Sequence, residues 1–183
     1  MRFRRRRGHV TAELDAGEAE LLSAMAGDLL VLLGADEPAD EDPLVALVGL
    51  SSAPVERPGD PALARLLPDA YADDDEAASE FRRFTEQDLR TGKRTSAGTV
   101  LATLAPYLDR GGKVPLDRDQ VDAWLGTLND LRLVRATRLG VTEETDLDPG
   151  SDDPHAQALL VYGWLGWLQE SLLGSVDPLT PGS

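Results

Sequence analysis

The chain of 183 residues has the length of a single domain, and its 33 acidic and 18 basic side chains give a formal net charge of −15. It has no cysteine, which excludes disulfides, thiolate zinc sites, iron–sulfur clusters and cysteine nucleophiles within this chain. Its two histidines, His9 and His155, leave few places for a multi-histidine metal centre or a Ser–His relay.

The charge is distributed unevenly along the chain. Residues 1–9 contain five arginines and no acid, so the rest of the chain holds 13 basic and 33 acidic side chains. Nucleic-acid binding usually depends on a large electrostatic contribution from Lys and Arg, and an anionic body opposes it. The composition therefore disfavours nucleic acid as a partner.

No segment has the pattern of a signal peptide or of a membrane span. The arginine-rich start is followed by acidic residues from Glu13 to Glu20, where a signal peptide needs an unbroken apolar stretch. The apolar run 21–33 is too short to cross a bilayer and contains Asp28. We therefore expect a cytoplasmic protein that does not enter a membrane.

The N-terminal residues predict a β-hairpin with arms Phe3–Arg7 and Val10–Leu14 and a turn at Arg7–Gly8. In the second arm every second side chain is apolar, which is the period of a half-buried strand. Two interpretations of the arginines are open at this point. They form an exposed strand face that pairs with the acidic body, or a docking patch for an acidic protein or nucleic acid.

Capping patterns predict the first helices. Asp15 and Glu18 stand three apart before an apolar run of helical spacing that Gly34 ends. Farther along, Asp60 is placed to cap a short helix that has Pro61 at its first position.

The middle of the chain is less regular. A helix is predicted from the acidic residues 73–76 onward, and Gly92 and Gly98 leave open whether it ends there or continues. The pair Gly111–Gly112 predicts a break, and residues 114–116 predict a short extended piece.

Two long helices are predicted in the C-terminal half. Asp117 is placed to cap the first, which ends near Gly140, and the second covers about His155–Leu173. The two apolar rows of the second helix are Val161, Leu165, Leu168 and Leu172, and Leu160, Trp164 and Trp167. A helix that is apolar over so much of its circumference is either central in the core or covered by another subunit.

Together these patterns predict a mainly α-helical fold with a short N-terminal β-hairpin. We expect one compact helical domain at residues 1–175, in which residues 1–14 form the arginine-rich hairpin arm. Residues 176–183 are expected to form a flexible tail.

Motifs for nucleotide or metal chemistry fail on inspection. Gly92-Lys93 and Gly112-Lys113 lack the Ser or Thr that follows in a phosphate loop, and no glycine-rich dinucleotide fingerprint is present. The acidic residues around Gly150 match a calcium loop only in part, because Gln157 stands where the closing Glu belongs. We therefore expect no cofactor, no metal and no enzymatic activity.

Three sequence blocks, in their order and spacing, resemble the actinobacterial oxidative-stress regulator family (AosR-like proteins), catalogued as a domain of unknown function. The blocks are 57–71 (RPGDPALARLLPDAY), 122–133 (DAWLGTLNDLRL) and 161–170 (VYGWLGWLQE). The N-terminal arm and the first leucine-rich helix also resemble the opening of the family, so the likeness covers most of the chain.

The resemblance implies a cytoplasmic regulator that acts by binding protein. In the better-studied branch of the family, members associate with an alternative sigma factor under oxidative stress, and a cysteine pair switches the protein by forming a disulfide. This chain has no cysteine, so the thiol switch does not carry over to it. Members also tend to be encoded beside a Clp-protease adaptor, which implies a role in proteolysis as an alternative.

The expected partner is therefore a protein, either a sigma factor or RNA polymerase, with a Clp component as the alternative. Direct DNA binding through the arginine-rich arm is a further alternative, which the net charge disfavours. The third alternative is an enzyme with a deep pocket lined by several acidic side chains.

Two interpretations of the matched blocks are also open. In the structural one, Asp60 and Pro61 set a helix start and the tryptophans fill the core. In the functional one, side chains of the blocks and of the arm contact a partner, because Trp, Tyr and Arg dominate interface energetics. The candidate contact residues are Arg4, Arg5, Arg6, Arg7, Arg57, Asp69, Tyr71, Asn129, Asp130, Arg132, Trp164 and Trp167.

Within this set, Asn129 and Arg132 are three residues apart and are predicted to share a helix face, with Asp130 about 100° round the helix. Trp164 and Trp167 are the predicted anchors of the contact. The same tryptophan face is the predicted contact of a homodimer.

Overall fold

A computed structural model describes residues 1–6, 9–34, 58–68, 75–142, 144–145 and 155–176. The strands are β1 (Arg2–Arg6), β2 (His9–Leu14) and β3 (Gly112–Leu116). The helices are α1 (Ala16–Gly34), α2 (Pro61–Leu66), α3 (Asp75–Leu104), α4 (Arg118–Leu139) and α5 (Ala156–Val176), with a 3₁₀ turn at Ala105–Tyr107. The prediction of a mainly α-helical fold with an N-terminal hairpin is confirmed.

The three strands form one antiparallel sheet in the order β1-β2-β3. The pairing of β1 with β2 confirms the predicted hairpin, whose turn at Arg7–Gly8 lies outside the described residues, and the extended piece predicted at residues 114–116 belongs to the third strand of the sheet. Because residues that oppose one another across strands share a face, Phe3, Ala12 and Val114 lie together on the inner side. All three are buried in the core.

Side-chain caps fix the starts of α1, α2 and α4 where the sequence predicts them. At the start of α1 the Glu18 backbone N–H donates to Asp15 Oδ1 at 2.8 Å, and the Asp15 N–H donates to Glu18 Oε2 at 3.0 Å. Asp117 and Gln120 form the same capping box at the start of α4. Gly140 ends α4 in the left-handed conformation, with φ of 65°.

Helix α3 runs without interruption past Gly92 and Gly98. A glycine in a helix interior costs about 1 kcal/mol relative to alanine, which is too little to break a helix that is held by packing. Here Ala97 is buried between the two glycines and Val100 and Leu104 are buried beyond them, so burial of this last stretch favours continuation.

Helix α4 is the central element of the described residues, because it packs against α1, α2, α3 and α5. Its Trp124 is fully buried, and the indole Nε1 donates a hydrogen bond of 3.0 Å to Thr103 Oγ1. The Trp124 ring meets the Phe3 ring edge-to-face at 5.9 Å, which ties the sheet to the helices.

Helix α5 lies to one side, against α4 and β1. Its row of Leu165, Leu168 and Leu172 is buried, whereas Leu160 and Trp167 on the other row are exposed. Of the two sequence interpretations of this helix, the central position is therefore wrong. Among the described residues, α4 occupies the middle of the core and α5 packs on it with one face.

None of the helices described here is long and apolar enough to cross a membrane.

Candidate protein-docking surface

The outer face of the sheet is built by strand alternation. Arg2 opposes Glu13, and Glu13 in turn opposes Lys113, so these three side chains stand on the face that points away from the core. Arg4 lies two residues along β1 on the same face. The apolar residues that alternate with them along the strands point into the core, so the polar side chains face solvent.

Glu13 is the electrostatic centre of this face. Its carboxylate lies 3.4 Å from Lys113 Nζ and 3.7 Å from the Nε atoms of both Arg2 and Arg4. Desolvation acts to raise the pKa of Glu13, but the hydrogen bond and charge of Lys113 and the charges of Arg4 and Arg2 outweigh it, so the pKa is lowered. One carboxylate therefore faces three cations, which leaves a positive surplus on a protein of net charge −15.

The outer face of α5 is apolar. Trp167 is 49% exposed and Leu160 is 57% exposed, and each lies about one turn from the half-buried Trp164 between them on the helix. Exposed tryptophan is unusual in a monomer surface, since its large apolar area is normally removed from water. The row predicted from the sequence is thus present, and it faces solvent.

An open depression of about 630 Å³ joins the two features. Its lining includes Trp167 from α5, Arg2, Glu13 and Lys113 from the sheet, and the carboxylates of Asp15 and Glu18 at the start of α1. The contact of α5 with β1 places the tryptophan beside the charged face. We call Arg2, Arg4, Glu13, Lys113, Leu160 and Trp167 the docking surface.

The three polar candidates on α4 lie in different surroundings. Asp130 is buried, with its Oδ1 accepting a hydrogen bond of 2.7 Å from Lys93 Nζ on α3. Asn129 is exposed and lines a small cleft beside Lys93. Because α4 is enclosed by neighbours, its polar residues meet different helices instead of one partner face.

The Arg132 side chain contacts residues of α5. Its Nη1 donates a hydrogen bond of 2.6 Å to Gln169 Oε1, and its guanidinium lies 5.6 Å from the centroid of the Tyr162 ring. The guanidinium also passes over Gly166, where a Cβ would lie 3.6 Å from Arg132 Nε. These contacts join α4 to α5, which is an internal role for this predicted contact residue.

The remaining predicted contact residues divide into two groups. Arg4 and Arg5 are exposed on β1, and Arg6 is described in its backbone only. Arg7, Arg57, Asp69 and Tyr71 lie outside the described residues. The predicted tail overlaps the end of α5 at Val176 and otherwise lies outside them as well.

Sequence reasoning missed Glu13 and Lys113. The signal for Lys113 was available, since Lys113 and Pro115 alternate with the apolar residues Val114 and Leu116 as they would in a half-buried strand. Its pairing with β2 spans about one hundred residues and is fixed by tertiary packing, which periodicity does not report.

A second groove, of about 550 Å³, lies between α1 and α4. Val31 on its edge is 74% exposed, and its charged lining residues are Asp28, Arg135 and Arg138. This groove has no exposed aromatic anchor and mixes both signs of charge. Across the residues described, no group of three or more His, Cys, Asp or Glu side chains is arranged to hold a metal ion.

Comparison with known proteins gives two kinds of match. The profile of DUF2017, a domain of unknown function, matches residues 1–176. The protein named oxidative stress regulator AosR of Mycobacterium tuberculosis (strain ATCC 25618 / H37Rv) is 34% identical over 170 residues, covering 85% of this chain and 77% of that protein. The protein of the same name from Mycobacterium bovis matches with the same identity and coverage. No solved structure matches the chain.

These matches confirm the resemblance found in the three sequence blocks. With its profile matched over nearly the full length, and with relatives that are one third identical across most of both chains, this chain belongs to the DUF2017 family.

Proposed function

We propose that this protein is a non-enzymatic, cytoplasmic regulator of the oxidative-stress response that acts by binding a component of the transcription machinery, an alternative sigma factor, through the docking surface. The observation that carries the proposal is the half-exposed Trp167 beside a charged sheet face in a relative of proteins named oxidative stress regulators.

The chemistry of the surface supports binding rather than catalysis. Trp and Arg are the side chains that most often dominate the energy of protein interfaces, and they do so from clusters that a partner can desolvate. Here Trp167 and Arg2 share one depression, with Leu160 extending the apolar area along α5.

The proposed binding does not depend on the redox state of thiols in this chain. A disulfide switch requires two cysteines, and this sequence has none. The regulatory input then comes from the amount of the protein or of its partner. Hydrogen peroxide at a concentration that oxidises thiols is expected to leave the affinity of the purified protein unchanged.

The test is a titration of a purified stress-response sigma factor from the native host with the wild-type protein and with Trp167→Ser. Truncation of a Trp hot spot costs at least about 2 kcal/mol, so the dissociation constant should rise about thirtyfold or more. Val31→Ser is the matched control, because Val31 is exposed on the other groove.

Circular dichroism and urea unfolding establish that both variants are folded before they are compared. Failure of the wild-type protein to bind any sigma factor or RNA polymerase subunit of its host contradicts the proposal. Binding to a Clp component alone would move the function to proteolysis.

A further inference from the structure

Resting on the proposed function, we infer that the partner segment that occupies the docking surface is acidic and amphipathic: its carboxylates pair with Arg2, Arg4 and Lys113, and an apolar side chain packs on Trp167.

The charge of the sheet face is the first argument. Three cations surround Glu13 within 3.7 Å, and Arg2 and Lys113 keep 61% and 65% of their side chains exposed. The Asp15 and Glu18 carboxylates and the Met1 ammonium line the same depression, so four cations face three carboxylates and one positive charge is left without a counter-charge. An acidic ligand supplies that charge, while a basic one meets like-charge repulsion.

The neighbouring apolar face is the second argument. Trp167 lines the same depression as Arg2 and Lys113, so one ligand segment can touch the indole and the cations together. An amphipathic segment, with an apolar face and acids beside it, matches this juxtaposition. A purely acidic chain would leave Trp167 and Leu160 exposed to water.

Nucleic acid fits the surface less well. Proteins that bind duplex DNA by charge typically neutralise six to ten phosphates, and this face offers Arg2, Arg4 and Lys113 around an acid. The net charge of −15 repels a polyanion beyond the patch, whereas a short peptide need not extend past it.

A second copy of this chain also fits less well. In a two-fold symmetric dimer the same patch is present on both partners. Pairing through the whole docking surface would bring Arg2, Arg4 and Lys113 of one copy toward the same cations of the other. The charge surplus therefore favours a different partner over self-association.

The experiment measures binding of fluorescently labelled peptides to the full-length protein by anisotropy at low and at physiological salt. The probe is an 18-residue amphipathic helix of Leu, Ala and Glu. One comparison peptide has Lys in place of each Glu, and another has Ser in place of each Leu. A 20-base-pair duplex DNA is the fourth probe.

Three protein variants accompany the wild type. Arg2→Gln with Lys113→Gln removes two of the cations, and Arg65→Gln with Arg118→Gln is the control of equal charge change at exposed sites elsewhere. Glu13→Gln removes the competing carboxylate. It is the informative third variant, because a loss of fold or of surface would not make it bind more tightly.

The acidic amphipathic peptide should bind best, with an affinity that falls as salt rises. Removing Arg2 and Lys113 should weaken it about tenfold, and Glu13→Gln should strengthen it about threefold, as expected for charges at an interface rim. The control pair should change it less than twofold.

The inference is overturned if the lysine peptide or the DNA binds more tightly than the acidic amphipathic peptide. It is also overturned if neither Arg2 with Lys113 nor Glu13 affects binding. Outcomes for the sigma factor are separate. A sigma factor that binds wild type and the Arg2/Lys113 variant equally retains the proposed function and removes this inference. If the acidic peptide binds as expected but no sigma factor binds, the inference about the chemistry of the ligand is retained and the proposed function is contradicted.

Discussion

At the scale of single residues, two carboxylates are held in opposite ways. Burial raises the pKa of Asp130 above its ordinary value of 3.8, and the hydrogen bond and charge of Lys93 compensate only in part. At Glu13 the desolvation that would raise the pKa is outweighed by Lys113, Arg4 and Arg2, so the pKa is lowered. The two groups therefore respond to pH with opposite sign.

The first prediction follows from linkage between proton binding and folding. Because the folded protein holds the Asp130 proton more tightly than the unfolded chain, its contribution to the free energy of unfolding falls as pH rises from about 4 through the raised pKa. At pH values above its ordinary pKa of 4.5, Glu13 contributes to the free energy of unfolding. That contribution is lost as pH falls through the lowered pKa of the folded state.

Urea unfolding of wild type, Asp130→Asn and Glu13→Gln between pH 3 and pH 8 measures both effects. The free energy of unfolding of Asp130→Asn relative to wild type should increase with pH across its window. That of Glu13→Gln relative to wild type should decrease with pH. Parallel curves for the two variants would contradict the assignment of these environments.

The three tryptophans show why residue roles were only partly predictable. All three occur in apolar helical patterns, yet Trp124 is fully buried and Trp167 is half-exposed. The difference arises from which helix is central, and that depends on long-range packing of α4 against its neighbours. Asp130 illustrates the same point, because only its pairing with Lys93 on another helix shows that it is internal.

At the scale of elements, the boundaries with local chemistry were predictable. The capping residues Asp15 and Asp117 and the left-handed Gly140 act within a few residues of themselves, so sequence spacing carries the information. The continuation of α3 past Gly92 was not predictable, because burial of residues farther along decides it. The third strand depends on a pairing across about one hundred residues.

The glycines provide the second prediction. A Cβ on Gly111, which has φ of +64°, would lie 2.5 Å from the carbonyl oxygen of Leu14. Gly111→Ala should therefore destabilise the protein by about 2 kcal/mol or more, through positive φ and a contact with backbone that cannot move away. At Gly92 in α3 a Cβ would meet nothing within 4 Å.

Gly92→Ala is the matched substitution, and it should stabilise the protein by about 0.5–1 kcal/mol because alanine favours the helix. Thermal and urea unfolding of the two variants measure the difference. Equal effects of the two substitutions would show that the turn before β3 or the interior of α3 is not built as described.

At the scale of the whole molecule, the charge is separated into a cationic sheet face and an acidic remainder. A partner that uses the sheet face should approach with electrostatic steering at low salt, because the surplus charges are exposed. We predict that raising the ionic strength slows association with the sigma factor more than it speeds dissociation. Stopped-flow kinetics at two salt concentrations measure this, and a salt-independent association rate would contradict a charged contact.

Hydrogen–deuterium exchange of the full-length protein, free and in complex with its sigma factor, tests most directly where the partner binds. We expect the complex to slow exchange in α5 around Trp167 and in the β1–β2 hairpin, and to leave exchange in the groove between α1 and α4 unchanged. Protection confined to that groove, around Val31, would contradict the claim that the docking surface is where this protein binds.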